Sequence, residues 1–387
     1  MSSRYAIHGA ITLGALLLAY SDLLGGSRIP IYRDLLPFVY PYRWFLGEHV
    51  SQGNLPLWNP WVQLGVPFLA SLHASVLYPP SLLLVVAFPF GFNLFLLIHY
   101  LLAADGMARL LRDRGLAGAP VAVGAVVFAV GGYLASSLTN TAHLQTAVWI
   151  PWTLLAWERY ARRRGGGALL ATVLLLAVQL CAGAPEVWLL TVALLALRSL
   201  SGQTPGVWSR LVLAGRLGVA VAFAVLLAAV QLLPTLEYVS ESRRLVELDW
   251  AEVTYWSLEP VSLLQLLFPH SSALVGAAEA GTVGTYLETT PPLVHSLYLG
   301  MFGLVLAIVG AATSRDRSLW GGVAILTVLF ALGPGSPVFD LARTTVPVVV
   351  GRIRYPEKVL VLFHLAVAIL AADGAAAILG KLRGAIR

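Results

Sequence analysis

Ten apolar stretches, each close to the length of a membrane-crossing helix, constrain the fold of this chain more than any other feature. A helix needs about 20 mostly apolar residues to cross the hydrocarbon core of a bilayer. With 58% hydrophobic and 11% charged residues, the chain is not a water-soluble globular protein, since those carry about 25% charged residues. The sequence therefore predicts an all-α, polytopic transmembrane bundle of about ten spans, near residues 5–24, 82–108, 118–137, 144–160, 166–182, 185–200, 211–233, 293–312, 318–333 and 357–380.

Two of these stretches have special features. Pro89 and Gly91 interrupt the second, which predicts a short interfacial piece before a true span. No small-residue cleavage site follows the first, so we expect an uncleaved signal anchor. Cys181 is the only cysteine, which excludes a disulfide scaffold and a cysteine-ligated metal cluster.

Basic residues are distributed unequally between the loops. We assign 16 of the 25 Lys and Arg residues to one face, which the positive-inside rule makes cytoplasmic, together with both termini. This distribution accounts for most of the net charge of +6, so no nucleic-acid partner is expected. The 16 residues are Arg4, Arg109, Arg112, Arg114, Arg159, Arg162, Arg163, Arg164, Arg198, Arg210, Arg216, Arg315, Arg317, Lys381, Arg383 and Arg387.

Three long segments lie on the opposite, external face: residues 25–81, 234–292 and 334–356. Connections longer than about 15 residues are seldom idle, so we expect any chemistry on this face of a single membrane domain, residues 1–387. The first segment is rich in proline and aromatic residues, which predicts short amphipathic helices lying in the membrane interface. Its aromatic residues are Tyr32, Phe38, Tyr40, Tyr42, Trp44, Phe45, Trp58, Trp61, Phe68 and Tyr78.

Asp34 is the first candidate catalytic residue, because it follows the first span and Arg33 directly. A carboxylate there is placed to accept a proton from a hydroxyl delivered from outside; the alternative is a helix cap or an ion pair with a neighbouring Arg. Glu186 is an acid near the outer end of a span, facing a cavity or stabilising a helix start after Pro185.

Two other segments carry basic residues beside a span. Arg243 lies in PTLEYVSESRR, and Arg354, Glu357 and Lys358 lie in GRIRYPEK. Arginines there either hold lipid phosphates nonspecifically or form a pocket for the phosphate of a lipid carrier. Glu357 and Lys358 equally fit a salt bridge at a helix start.

The external histidines His73, His143 and His270 lack the paired spacing of metal ligands, so we expect no metal site. His73 and His143 are instead candidate substrate-binding residues, with Trp58 and Asn59 of the LWNPW string. Trp58 and Trp61 either stack on a sugar or anchor the loop in the interface.

Five strings follow one another along the chain: LPLWNPWVQLGVPFLASLHASVLYPPSLL, AGAPEVWLL, PTLEYVSESRR, SLYLGMFGL and GRIRYPEKVL. In that order they resemble the YfhO family of bacterial polytopic membrane proteins. The similarity extends from about residue 20 to about residue 380, nearly the whole chain.

The resemblance implies a GT-C-like fold and glycosyltransferase activity in the bacterial inner membrane. Such an enzyme transfers a sugar from a polyprenyl-phosphate carrier to an external glycan, polymer, lipid or protein acceptor. A catalytic acid follows the first helix in that superfamily, and Asp34 in IYRDLLP matches this place. Arg354, Lys358 and Arg243 then stabilise the leaving lipid phosphate.

No cofactor is required in this reading, because arginines can neutralise a monophosphate; a divalent cation on Asp34 and Glu186 is an open alternative. Two rival functions are also open. A transporter or flippase of a lipid-linked glycan would use the same basic residues without chemistry, and a noncatalytic scaffold for envelope assembly would use the loops for docking.

Overall fold

The computed structural model describes residues 2–24, 29–30, 33–201, 206–242, 249–268 and 292–385. These residues form helices and no strand; the one β-type pairing among them is an isolated bridge between Asn59 and Val66. The expectation of an all-α fold is therefore confirmed for the described part of the chain.

Seventeen α-helices run through the described residues. Those of the amino-terminal half are α1 Ser2–Ala19, α2 Val39–Ser51, α3 Phe90–Asp113, α4 Ala119–Val130, α5 Gly132–Ser136, α6 Thr141–Ala147, α7 Ile150–Arg163, α8 Gly166–Cys181 and α9 Pro185–Leu200. Those that follow are α10 Val207–Leu227, α11 Ala229–Ser240, α12 Trp250–Val253, α13 Met301–Thr313, α14 Arg317–Ala331, α15 Pro337–Thr345, α16 Pro347–Arg352 and α17 Leu360–Ala385. Short 3₁₀ helices are Ser21–Leu23, Arg33–Leu35, Leu72–Ala74, Pro79–Val85, Pro260–Leu266 and Pro356–Val359.

Four helical segments are long and apolar enough to cross a membrane: Phe90–Asp113, Ala119–Ser136, Val207–Leu227 and Pro356–Leu382. Shorter apolar helices are His8–Ala19, Gly166–Cys181, Met301–Thr313 and Arg317–Ala331. The chain is thus a membrane protein by the length and composition of its helices. The count of ten spans stays a prediction.

The interruption predicted at Pro89 is present. The 3₁₀ helix Pro79–Val85 ends before it, and α3 begins at Phe90. The predicted external segments also contain helices: α2 in the first, α15 and α16 in the third. The second was expected to begin at residue 234, whereas α11 continues through Pro234 to Ser240. Proline removes one hydrogen bond of the helix and crowds the carbonyl four residues before it, so neighbouring groups in a transmembrane bundle compensate for the interruption.

The described helices belong to two compact units. The first unit comprises Met1–Leu16, Met107–Ser137 and Glu247–Arg387; the second comprises Leu17–Gly106 and Leu138–Val246. The single membrane domain stays a prediction.

In the first unit, α17 is the central helix, and α4, α13 and α14 pack against it. Within the last candidate span, 89% of the apolar window is buried. Gly310 of α13 and Gly374 of α17 allow close helix packing, since a Cβ on Gly374 would overlap the Leu306 carbonyl. Small residues let two helix backbones approach in this way.

In the second unit, α7, α8, α9 and α10 pack together, and α2 packs on the 3₁₀ helix Pro79–Val85. Only 22% of the apolar window in α10 is buried. Apolar side chains exposed on a helix of this length are those expected to meet lipid.

Candidate functional site

A buried guanidinium organises the loop of the second unit that follows α2. Arg43 lies on the buried face of α2 and is 2% exposed. Its Nη1 donates to the Ala74 carbonyl over 2.9 Å, and its Nη2 donates to the His73 carbonyl over 3.2 Å. The same Nη2 lies 3.5 Å from Thr141 Oγ1. Arg43 therefore ties the 72–75 turn to the start of α6.

Burial lowers the pKa of Arg43 to about 10, so the side chain keeps its charge at neutral pH. Its partners within the described residues are carbonyl, hydroxyl and amide oxygens rather than a carboxylate. A buried charge of this kind is costly unless its hydrogen bonds are made. The carbonyls of the loop thus stabilise the buried positive charge in place of an acidic side chain.

Gln145 and Ser75 complete this network. With the Gln145 amide oriented to satisfy both of its ends, Oε1 accepts from Arg43 over 2.7 Å and the nitrogen donates to the Ala182 carbonyl over 2.8 Å. Gly183 follows with φ of +110°, and a Cβ there would lie 2.7 Å from the Leu72 carbonyl oxygen. Only glycine fits this close approach of the chain before α9 to the loop.

A histidine and a glutamate pair beside this network. Nε2 of His143 in α6 lies 3.1 Å from Oε1 of Glu186 in the first turn of α9. The His143 side chain is 6% exposed and that of Glu186 is 18% exposed. The start of a helix carries a partial positive charge that stabilises a carboxylate. These two predicted site residues therefore lie together at the amino-terminal end of α9.

Asp34 lies on an exposed turn of the same unit. Within the described residues its carboxylate has no hydrogen bond or ion pair, although its carbonyl accepts from the Phe38 backbone over 3.1 Å. The ring of Phe38 meets the ring of His73 edge-on, with centroids 5.8 Å apart. Asp34 is thus connected through Phe38 and His73 to the loop that Arg43 holds.

The aromatic part of the first loop forms a hairpin-like turn. Asn59 and Val66 exchange two backbone hydrogen bonds of 2.9 Å, and Asn59 Oδ1 accepts from the Trp61 N–H over 3.0 Å. Asn59 is 2% exposed, so the turn itself uses this predicted substrate-binding residue. Trp58 is 55% exposed and lies against Gly65.

The RYPEK segment belongs to the first unit and has its own partners. Arg354 pairs with Glu252 at 2.5 Å, and Oε2 of the buried Glu357 accepts from the Val294 N–H over 2.9 Å. The Lys358 ammonium lies 5.1 Å from the centre of the Tyr355 ring. These contacts hold the segment in place, and the predicted phosphate-binding role of Arg354 and Lys358 stays a prediction.

Sequence reasoning missed Arg43, Ser75, Thr141 and Gln145. One signal was available for Arg43, which stands among the aromatic residues of VYPYRWF at the buried spacing of a helix. The neutral residues carried no local signal, because their neighbours in the sequence do not indicate that they bond near Arg43.

Two predicted site features lie outside this description: Arg243 is outside the described residues, and of Arg33 only the backbone is described. His270, considered as a metal ligand, is also outside them. Among the described residues, no three His, Cys, Asp or Glu side chains converge as a metal site would require.

Comparison with known proteins identifies no relative of this chain. The similarity to the YfhO family rests on the five sequence strings and stays a prediction. No protein-family model and no curated protein matches the chain.

Proposed function

We propose that this membrane protein is a GT-C-like glycosyltransferase, which transfers a sugar from a polyprenyl-phosphate-linked donor to a hydroxyl acceptor. The observation that carries the proposal is the Asp34 carboxylate, exposed and without a partner among the described residues. An ion pair makes a carboxylate a weaker proton acceptor, and Asp34 has no such partner among the described residues. Its place after α1 is the one that the family resemblance assigns to the catalytic base.

The reaction is a single displacement. The acceptor hydroxyl oxygen forms a bond to the anomeric carbon while Asp34 takes the hydroxyl proton. The bond from the anomeric carbon to the phosphate oxygen breaks, and the electron pair leaves with the lipid phosphate. Attack from the face opposite the leaving group inverts the anomeric centre.

His143 and Glu186 are suited to hold the sugar. Glu186 is part-exposed, and a carboxylate is a hydrogen-bond acceptor for sugar hydroxyls, while the contact with His143 fixes its orientation. The exposed Trp58 supplies an aromatic face for stacking or for anchoring in the interface. His73 lies at the turn that Arg43 holds.

Cations of the chain stabilise the departing phosphate in this proposal. The sequence suggests Arg354, Lys358 and Arg243 for this role, with Arg33 as a further substrate-binding candidate. Arg354 is paired with Glu252, so its use would require the phosphate to replace that carboxylate. The reaction takes place on the external face of the bacterial inner membrane, and the acceptor is a glycan, polymer, lipid or protein.

Transport of a lipid-linked glycan is the rival function, and it needs polar groups along a route through the bilayer. One buried polar cluster of the second unit is instead internally bonded: Gln179 donates to the Thr146 carbonyl over 3.0 Å and lies 3.2 Å from Thr191 Oγ1. Groups occupied in this way serve packing better than a polar route, which favours chemistry at the exposed end.

The test is donor turnover by the purified protein in nanodiscs, with a panel of polyprenyl-phosphate sugars and candidate acceptors. Asp34→Asn should reduce turnover by at least about 100-fold, the range of a lost general base. Glu259→Gln is the matched control, because Glu259 is also an exposed carboxylate, in the first unit. It should retain wild-type turnover.

Turnover that survives in Asp34→Asn would remove Asp34 as the base. A wild type that turns over no donor yet moves donor lipids between leaflets would contradict the enzyme and favour a transporter. Retained binding to an envelope partner without either activity would favour the scaffold.

A further inference from the structure

Two guanidinium groups of the second unit meet on one buried tyrosine. Arg164 lies over the ring of Tyr160, 5.7 Å from its centre. Nη1 of Arg216 in α10 donates to the Tyr160 hydroxyl over 3.2 Å. Tyr160 is 5% exposed, whereas Arg164 and Arg216 are both exposed. The tyrosine therefore presents two cations on the protein surface.

Neither of these guanidinium groups has an acidic partner within the described residues. Glu158, two residues before Tyr160 in α7, is bound by Arg198 at 2.8 Å and by Arg162 at 3.5 Å. From residue 159 to residue 216 the only acidic residue is Glu186, at the other end of α9. The positive charge of Arg164 and Arg216 thus remains available to an anion from outside the chain.

The backbone directs Arg164 towards the tyrosine. Arg164 follows the last residue of α7 and has a left-handed conformation, with φ of 52°, while its N–H donates to the Tyr160 carbonyl over 2.8 Å. Residues other than glycine seldom adopt this conformation. It turns the chain back at the helix end and leaves the Arg164 side chain over the ring.

The surroundings of Arg216 are apolar. It lies within a candidate span, α10, whose apolar window is only 22% buried. Leu211 and Val219 on the same helix are 51% and 54% exposed. Trp208, 78% exposed, lies about 12 Å before Arg216 along the helix. A charged side chain among apolar neighbours on a membrane-spanning helix is costly unless water or an opposite charge reaches it.

We propose that Arg164, Arg216 and Tyr160 bind the headgroup phosphate of an anionic phospholipid, whose acyl chains lie along the exposed apolar face of α10. Guanidinium groups bind phosphate oxygens through paired, charge-assisted hydrogen bonds. The tyrosine holds the two groups in place, and the apolar neighbours select a lipid over a free anion. Positive-inside counting assigns Arg164 and Arg216 to the cytoplasmic face, where anionic lipids attract basic side chains.

This lipid site is separate from the proposed catalytic residues. Arg198, which contacts Glu158, and Glu186 are on the same helix, about 18 Å apart along its axis. The lipid site does not depend on sugar transfer and is tested without it.

The test titrates delipidated protein in detergent micelles with phosphatidylglycerol or phosphatidylcholine and counts bound lipids by native mass spectrometry. The wild type should retain phosphatidylglycerol preferentially. Arg164→Gln with Arg216→Gln should weaken that binding by at least tenfold. The control pair, Arg315→Gln with Arg317→Gln, removes the same charge from exposed positions of the first unit and should change binding less than twofold.

An equal loss of phosphatidylglycerol binding in the control pair would overturn the site and indicate diffuse electrostatic attraction. Unchanged binding in the double variant of Arg164 and Arg216 would also overturn it. Displacement of phosphatidylglycerol by millimolar inorganic phosphate would overturn the lipid as ligand. If the double variant does not fold, each single substitution should still weaken binding by at least threefold. Tyr160→Phe should weaken it less than either, because the ring remains.

Discussion

His143 Nε2 lies 3.1 Å from Glu186 Oε1, a contact that joins α6 to the first turn of α9. The contact is a hydrogen bond from imidazole to carboxylate when Nε2 carries the proton. It joins residues that are 43 positions apart in the sequence.

The first prediction concerns this pair. Glu186→Gln keeps the shape of the side chain but removes its charge, and it should lower donor turnover by about tenfold to a hundredfold if the pair positions substrate. His143→Gln should have a similar effect. Donor turnover of the double variant should be no lower than that of the more impaired single variant, because the two residues act as one unit. Additive losses in turnover would contradict a shared role.

Arg43 should be essential for stability. Arg43→Met removes the donors of the Ala74 and His73 carbonyls and should lower the free energy of unfolding by about 3 kcal/mol. The free energy of unfolding of Arg43→Lys should lie between those of the wild type and Arg43→Met, since one ammonium group cannot make all the hydrogen bonds of a guanidinium group. Unfolding in mixed SDS micelles measures the difference. Arg163→Met, at an exposed position, is the control and should be near wild type.

The next prediction contrasts two glycines of the first loop. A Cβ on Gly65 would lie 2.5 Å from the Trp58 ring, at φ of +112°, whereas a Cβ on Gly53, at φ of +74°, meets nothing within 4 Å. Gly53→Ala should cost about 1 kcal/mol from its backbone alone. Gly65→Ala should cost more and make residues 55–66 accessible to protease. Equal effects in thermal unfolding and proteolysis would mean that Trp58 is not held by this packing.

The tip of the same loop should contact the membrane interface. Leu64 and Trp61 are 104% and 83% exposed. Gln63 and Leu64 both have a left-handed backbone conformation. The adjacent chain is tied to α11, because Gln231 Nε2 donates to the Leu69 carbonyl over 2.6 Å. Exposed tryptophan beside apolar helices is typical of the interface.

A fluorophore on Leu64→Cys, in a Cys181→Ser background, should be quenched by spin-labelled lipids in nanodiscs. Gln52→Cys is the control, because Gln52 is exposed at the polar end of α2. Little or no quenching at position 64 would place the tip in water.

The last prediction concerns the helix crossing of the first unit. Gly374→Ala should lower the free energy of unfolding by about 2 kcal/mol, since the added methyl group meets the Leu306 carbonyl. Gly380→Ala, on the same helix with nothing within 4 Å, should be neutral or stabilise by about 0.5 kcal/mol. Thermal unfolding of the two variants side by side tests the packing. A Gly374 variant as stable as the Gly380 variant would refute it.

Helix boundaries were the part of the fold most accessible to sequence reasoning. The predicted stretches 166–182 and 185–200 correspond closely to Gly166–Cys181 and Pro185–Leu200. Pro185, Gly165 and the interruption at Pro89 are local signals, which act through the backbone of neighbouring residues. The stretch 293–312 was less accurate, since its helix begins at Met301, because apolar composition alone does not say where a helix starts.

The sequence by itself determined an apolar, helical membrane chain with aromatic residues gathered in one loop, because hydrophobicity and helix formation depend on local residues. Only the tertiary structure decided that Arg43 is buried among loop carbonyls, that His143 meets Glu186, and that Arg164 and Arg216 share Tyr160. Apart from the local contact of Arg164 with Tyr160, those contacts join residues tens of positions apart. Their geometry depends on how whole helices pack, which no local pattern specifies.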